Sequence, residues 1–441
     1  MITSEPVIKV ALLQNSRQAK VLLNGTYPPF SGQEAKTQIN ASAGENGTVT
    51  IRDRDERIVM QKNEIELIPA DRANDFFSLS DIRIGIRFHW ERLQTLSFRG
   101  GILFSPNQDG TISAFNLIGL EDYLSSVISS EMSAGAPPEF LKVQAVTARS
   151  WLVAMLEKKK TPRAVQDGGE NEILGWQDVN DHEGFDVCAD DHCQRYQGIT
   201  RIISENVARA INDTRGLFLT HEGRICDARY SKCCGGRTEV FATAWENAHF
   251  PYLAGINDSD RESSPLATEA HVKSWLLSNP EAYCNTTDES LLGQILPSFD
   301  LETKNFYRWR VVYTAQELTA ILREKSGIDF GALKRIEALE RGASGRISRL
   351  KIEGTRRTVT VGKELEIRRW LSPTHLLSSA FVVSAQHDAA GDISHLTLDG
   401  GGWGHGVGLC QIGAAVMAAR GFKSEDILAH YFRGAVLKKL Y

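Results

Sequence analysis

Four side chains within twelve positions have the chemistry of soft-metal ligands. The stretch DHEGFDVCADDHCQRY places His182, Cys188, His192 and Cys193 close together, offering two imidazoles and two thiols. Zinc takes such a set tetrahedrally, at bond lengths of about 2.0–2.3 Å. A shell closed by four protein ligands leaves no position for water, so the ion would be structural rather than catalytic. The spacing is not that of a finger, and adjacent His192 and Cys193 both ligate only if the backbone turns sharply between them. A polar loop beside a buried thiol is the competing reading.

A second constellation is LDGGGWGHGVGLCQIGAAVMA, where glycines leave the backbone bare around Trp403 and His405. No Lys-Ser/Thr pair follows as a phosphate loop requires. An aromatic face on a permissive backbone suits a sugar ring, with His405 bonding a hydroxyl; a glycine-rich turn around a satisfied core histidine is the alternative. In YSKCCGGRTEVFATAW, Cys233 and Cys234 invite a thiol-nucleophile reading with His405 as base, but nothing marks a nucleophile elbow. The remaining candidate is a lone acid, Glu131, in VISSEMSAGAPPEFLKVQAVTARSW. A carboxyl group in the last turn of a helix meets the negative end of the helix dipole, which favours the proton-bearing form that a general acid needs. An ordinary surface residue before a turn is the plainer reading.

The elements that must position these residues follow from periodicity. Leu120, Tyr123, Leu124, Val127 and Ile128 recur at helical spacing up to Glu131. After a Gly-Ala-Pro-Pro turn, a second helix starts near Pro138, with a core stripe of Leu141, Ala145, Ala148, Leu152 and Met155. Lys142 and Arg149 are seven apart and share one flank of that stripe. A third helix is expected over 204–213. Residues 6–118 read as short strands separated by Gly, Asn and Asp, and the His89-Trp90 pair within them reads as packing. The stretch 261–335 reads as mostly helical, and strands return before the final glycine run. The class is α+β, divided into a β-rich region over 1–118 and a second unit over 119–441.

Composition narrows the function. The 441 residues carry a net charge of −5, so the basic field of a nucleic-acid binder is missing. With 42% hydrophobic and 24% charged residues the chain is globular, and no run of 18 apolar residues marks a transmembrane segment. The start, MITSEPVIKVALLQ, lacks the pattern of a secretory signal. Seven cysteines are an odd number, which argues for metal over a disulfide framework.

Taken in order, several segments resemble the stage II sporulation protein D family, the SpoIID/LytB domain: SSEM...PPEFLKVQAVTARSW, HCQRYQG, YSKCCGGRTE, SGRISRLKIEG and GWGHGVGLCQIGA. The resemblance runs over roughly 110–441. It implies an α+β catalytic unit that acts as a peptidoglycan lytic transglycosylase, cleaving the bond between N-acetylmuramic acid and N-acetylglucosamine with Glu131 as the single acid and base. Lys142 and Arg149 would hold substrate or tune Glu131. Tyr230, Ser231, Gly235, Gly236, Arg237, Trp403, His405 and Gln411 would bind the glycan, and His182, Cys188, His192 and Cys193 a structural zinc. The resemblance implies a place in the cell envelope outside the cytoplasmic membrane, glycan strands as substrate, and a wall amidase or other wall hydrolase as partner. It leaves one alternative, a non-catalytic wall-binding protein that enhances an amidase. Cys233 and Cys234 depart from the small residues common in that turn, and the family's frequent tryptophan is missing from EMSAGAPPEF.

Overall fold

Alternation of apolar and polar residues dictates the first third of the chain. In β2 (Gln18–Asn24), Ala19, Val21 and Leu23 point inward while Gln18 and Lys20 face solvent, the period of two expected of a half-buried strand. The computed structural model describes residues 2–30, 36–86, 91–158, 171–176, 182–190, 192–201, 204–261 and 264–441. His89 and Trp90 lie outside the described residues.

The N-terminal strands are β1 (Val7–Ser16), β2, β3 (Lys36–Ala43), β4 (Val49–Asp53), β5 (Ile58–Lys62), β6 (Ile65–Leu67), β7 (Phe76–Ile84), β8 (Arg92–Phe98), β9 (Gly101–Pro106) and β10 (Ile112–Gly119). One sheet has the order β5-β4-β3-β2-β7-β8; the other runs β1-β10-β9-β6, with the short strand Val187–Cys188 added in parallel beside β1. The sheet thus captures the middle of the candidate metal loop, pairing Ala11 with Cys188.

Helix α1 (Leu120–Glu131) leaves β10 directly at Gly119. All its residues except Asp122 and Ser125 are buried, so the helix is enclosed on nearly every side. Helix α2 (Pro138–Lys158) follows, with the expected stripe Leu141, Ala145, Ala148, Leu152 and Met155 buried. Helix α3 (Glu205–Asp213) is capped by the Ser204 hydroxyl, which accepts from the Asn206 N–H. No described helix is long and apolar enough to cross a membrane.

The α+β class holds, but the compact units do not follow the expected division at residue 118. The first comprises residues 1–149, 179–217 and 439–441; the second comprises 150–178 and 218–438. The physical reason is that α1 packs on β1 and β10, and Phe185 and Tyr196 meet Phe115 and Phe98 of the N-terminal strands, so the β-rich region is no separate body. In the second unit, a three-stranded sheet (Arg308–Thr314, Ile393–Gly401, Phe381–His387) and a four-stranded one share a core of Trp309, Leu318, Leu350, Ile352, Trp370 and Leu398. The expected helical stretch 261–335 contains helices Glu269–Leu277, Glu289–Ile295 and Ala315–Ser326, broken by the strand Arg308–Thr314.

In the first unit, Gly198 adopts φ +63° with its Cα pressed on β8; a Cβ there would sit 2.0 Å from the Ser97 carbonyl oxygen. Only glycine fits that combination of backbone and space. Gly198→Ala is expected to destabilise the protein by more than about 1 kcal/mol, read as a lowered urea midpoint. An unchanged midpoint would contradict this packing.

Candidate functional site

Glu131 is the last residue of α1 and only 9% exposed. The Arg195 backbone N–H donates to its Oε1 at 3.0 Å. Arg195 belongs to the segment CQRYQG, which is fastened to β10, α1 and α2. The Gln194 side chain donates to the Ala148 carbonyl and accepts from the Tyr123 hydroxyl; the Tyr196 hydroxyl donates to Asn116, and the Gln197 N–H to the Ser126 hydroxyl. Tyr123 and Tyr196 stack with centroids 4.9 Å apart. The carboxylate is therefore buried and held in one orientation, which rules out the surface reading of Glu131.

The two cations of α2 take separate roles. Arg149 is fully buried, and its guanidinium grips the Glu121 carboxylate at 2.6 and 3.1 Å while also donating to the Leu217 carbonyl and the Thr214 hydroxyl. The Tyr441 hydroxyl donates to the same carboxylate. Lys142 is partly exposed and pairs with Asp213 at 3.0 Å and Glu139 at 3.4 Å. The shared flank predicted from spacing is used to tie α2 to α1 and α3. Arg149 in particular is a packing cation without a face for substrate, a correction to the role that the resemblance implied.

The metal-ligand candidates come together. The donor atoms of His182, Cys188, His192 and Cys193 lie within 4.8 Å of one another. His182 Nε2 and His192 Nδ1 are 3.1 and 3.4 Å from Cys193 Sγ, against about 3.5 Å for the N–S edge of a tetrahedral zinc site. The backbone does turn between His192 and Cys193, where the Cys193 N–H donates to the Asp190 carbonyl. The Cys188 thiol is pushed far below its usual range, first by its hydrogen bond with Cys193 and then by the two imidazoles, against the opposing effect of burial. Metals bind that thiolate form. The donor set fits a four-coordinate ion with no open position.

The remaining predicted residues belong to the second unit. Strands Tyr230–Ser231 and Leu409–Cys410 pair in parallel, and Cys233 pairs with Trp403. The Ser231 hydroxyl accepts from the Gly406 N–H. Gly235 (φ +79°) faces the backbone of Gly401 and Gly402, with no room for a Cβ. Arg346, fully buried, fills the space left by Gly402 and Gly406 and donates to the carbonyls of Cys233, Cys234 and Gly404. The two glycine motifs form an internal clasp in which Ser231, Gly235, Gly236, Arg237 and Gln411 are buried, whereas Tyr230, Trp403 and His405 are half-buried. His405 Nδ1 accepts from the Val407 N–H and its other nitrogen meets the Tyr230 carbonyl. Burial, followed by Arg229, Arg346 and Arg368, pushes this imidazole well below its usual range, so it is a neutral, satisfied histidine. Cys233 and Cys234 are buried, and burial pushes both thiols well up. These facts remove the thiol-nucleophile reading.

Sequence reasoning missed Glu121, the Arg195 N–H and Arg346. Arg195 and Arg346 stood inside quoted motifs, HCQRYQG and SGRISRLKIEG, whereas Glu121 lay outside them, next to Leu120 at the start of the α1 stripe.

Glu131 is thus a buried acid at a helix end, held by a loop that also carries the Cys/His cluster. Residues 108–221, which contain that whole arrangement, match the family described as Stage II sporulation protein, and residues 239–408 match a domain of unknown function. The chain is 23% identical over 436 residues to an uncharacterized protein of Brachyspira hyodysenteriae, covering 98% of this chain and 92% of the relative. It is 24% identical to Stage II sporulation protein D of Bacillus subtilis, over 73% of this chain and 75% of that one. It is also 25% identical to the Amidase enhancer of the same organism, over 71% of this chain and 40% of that one. The chain therefore carries a Stage II sporulation protein domain over residues 108–221 and is similar along most of its length to proteins named Stage II sporulation protein D.

Breaking a buried ion pair strands a charge, whereas an exposed pair contributes little. Arg149→Ala is therefore expected to cost about 3–5 kcal/mol of folding stability, and Lys142→Ala less than about 1 kcal/mol. Equal, small effects in denaturant titrations would contradict the structural assignment of Arg149.

Proposed function

We propose that this protein is a peptidoglycan lytic transglycosylase in which Glu131 acts alone as acid and then base. The observation that carries the proposal is the buried carboxylate at the end of α1, which the Arg195 N–H holds, within the segment that matches the family. Glycosidases that use water generally need two carboxylates, one to protonate the leaving oxygen and one to activate water or attack carbon. In a lytic transglycosylase the muramic acid C6 hydroxyl attacks its own anomeric carbon. Glu131 would donate its proton to the glycosidic oxygen as the bond breaks, then take the proton of the C6 hydroxyl as the 1,6-anhydro ring closes. Proton balance is restored at the same residue. Arg195, through its backbone N–H, is a positioning group for that carboxyl. This activity sets the protein in the cell envelope, outside the cytoplasmic membrane.

The metal at His182, Cys188, His192 and Cys193 is proposed to be zinc. When bound, it would supply no chemistry beyond holding the loop. The loop's Cys193 lies two residues before Arg195, so anchoring there fixes the N–H that holds Glu131. A second reading, a non-catalytic wall-binding protein that stimulates an amidase, is favoured by the similarity to the Amidase enhancer.

Glu131→Gln keeps an acceptor for the Arg195 N–H but has no proton to give. It should fold normally and release at least 10³-fold less anhydro-muramyl product from isolated glycan strands, on the order of a general-acid contribution. Full activity in the variant would sink the catalytic assignment, and a wild type that binds strands, yields no product and accelerates an amidase would establish the second reading. Chelation of the zinc should lower the melting temperature, because the binding energy of a structural site is folding energy; an unchanged melting temperature argues against a structural ion.

A further inference from the structure

Three cysteines and an aspartate that the proposed reaction does not use meet in the interior of the second unit. Cys234 lies next to the Gly235-Gly236 turn, Asp258 in the loop whose N–H bonds back to Gly236, Cys284 in a turn after the helix Glu269–Leu277, and Cys410 at the start of the helix Gln411–Ala419. Their exposures are 3% for Cys234 and 0% for the other three. One donor atom from each lies within 4.8 Å of all the others. The Cys234 and Cys284 sulfurs are 3.7 Å apart. A tetrahedron with zinc–sulfur bonds of about 2.3 Å has an edge of about 3.8 Å, whereas a disulfide needs about 2.05 Å.

The surroundings hold the donors as ligands are usually held. Asp258 accepts from the Tyr431 hydroxyl on one oxygen and from the Cys284 N–H, at 2.8 Å, on the other. Cys410 Sγ accepts from the Cys234 N–H at 3.2 Å. Such outer bonds orient the donors of a metal site. Gly413 lets its helix approach this far, since a Cβ there would stand 2.6 Å from an Asp258 oxygen. Charge gives an independent argument. A carboxylate buried among thiols is costly without a cation, and among the described residues no ion pair includes Asp258. The neighbouring Arg346 is spent on carbonyls, and Lys232 on Asp300 at 2.9 Å.

We propose that Cys234, Asp258, Cys284 and Cys410 form a second metal site, for one divalent ion of the zinc class. Its shell is closed and buried, so the ion is structural, clasping four segments up to 176 residues apart in sequence. Cys233, which also contacts Cys284 and Cys410, is an outer neighbour.

The test is metal counting by native mass spectrometry on the full chain loaded with zinc in the presence of a phosphine reductant. Wild type should carry two ions. His182→Ala should keep one, and Cys284→Ser combined with His182→Ala none. Should the cysteine variant fail to fold, the wild type and His182→Ala still decide the matter. A wild type with one ion that His182→Ala loses would overturn the proposal, as would a Cys234–Cys284 or Cys234–Cys410 disulfide found by peptide mapping of protein purified without reductant and refractory to zinc.

Discussion

A backbone N–H donated by Arg195 to the Glu131 carboxylate is the contact around which the candidate site is arranged. A buried acid is tolerable only if its oxygens are satisfied, and a helix cannot satisfy a side chain at its own C-terminal end. The partner must come from elsewhere in the chain. It comes from a loop with no regular structure of its own, which explains why that loop is fastened so heavily: Gln194, Tyr196 and Gln197 each bond an element of the first unit, and the Cys/His cluster secures its upstream end.

Buried polar groups elsewhere serve the same end. The Arg149–Glu121 pair is bonded on both sides, with Thr214, Leu217 and Tyr441 satisfying the remaining atoms. Buried pairs of this kind are poor sources of net stability, but removing either member leaves the other charge buried alone. In the second unit, Arg346 and Glu239 do likewise: Glu239 accepts from the Ala343 and Ser344 N–H groups and the Thr243 hydroxyl, while Arg346 occupies the space of two absent side chains. The glycine motifs are therefore built for close backbone packing around a guanidinium.

Much of this was legible in the sequence where the signal is local. The stripe of α2, the run of strands before residue 118 and the four candidate ligands within twelve positions all rest on short-range periodicity or spacing. The faces that Arg149 and His405 present were not, since a seven-residue spacing says which side of a helix a cation occupies but not what carboxylate waits there. Glu121, one helix earlier, was that carboxylate. The division of the chain was also illegible, because residues 179–217 return to the N-terminal strands after an excursion into the second unit. Asp258 and Cys284 carried no pattern at all; only the folded chain sets them beside Cys234 and Cys410.

The central claim is that one carboxylate suffices because the sugar supplies its own nucleophile. Digestion of glycan strands by the wild-type protein in water enriched in oxygen-18, with mass spectrometry of the products, tests it most directly. The account predicts 1,6-anhydro ends that carry no label. Reducing ends labelled with oxygen-18 would mean that water attacks the anomeric carbon, and would contradict it.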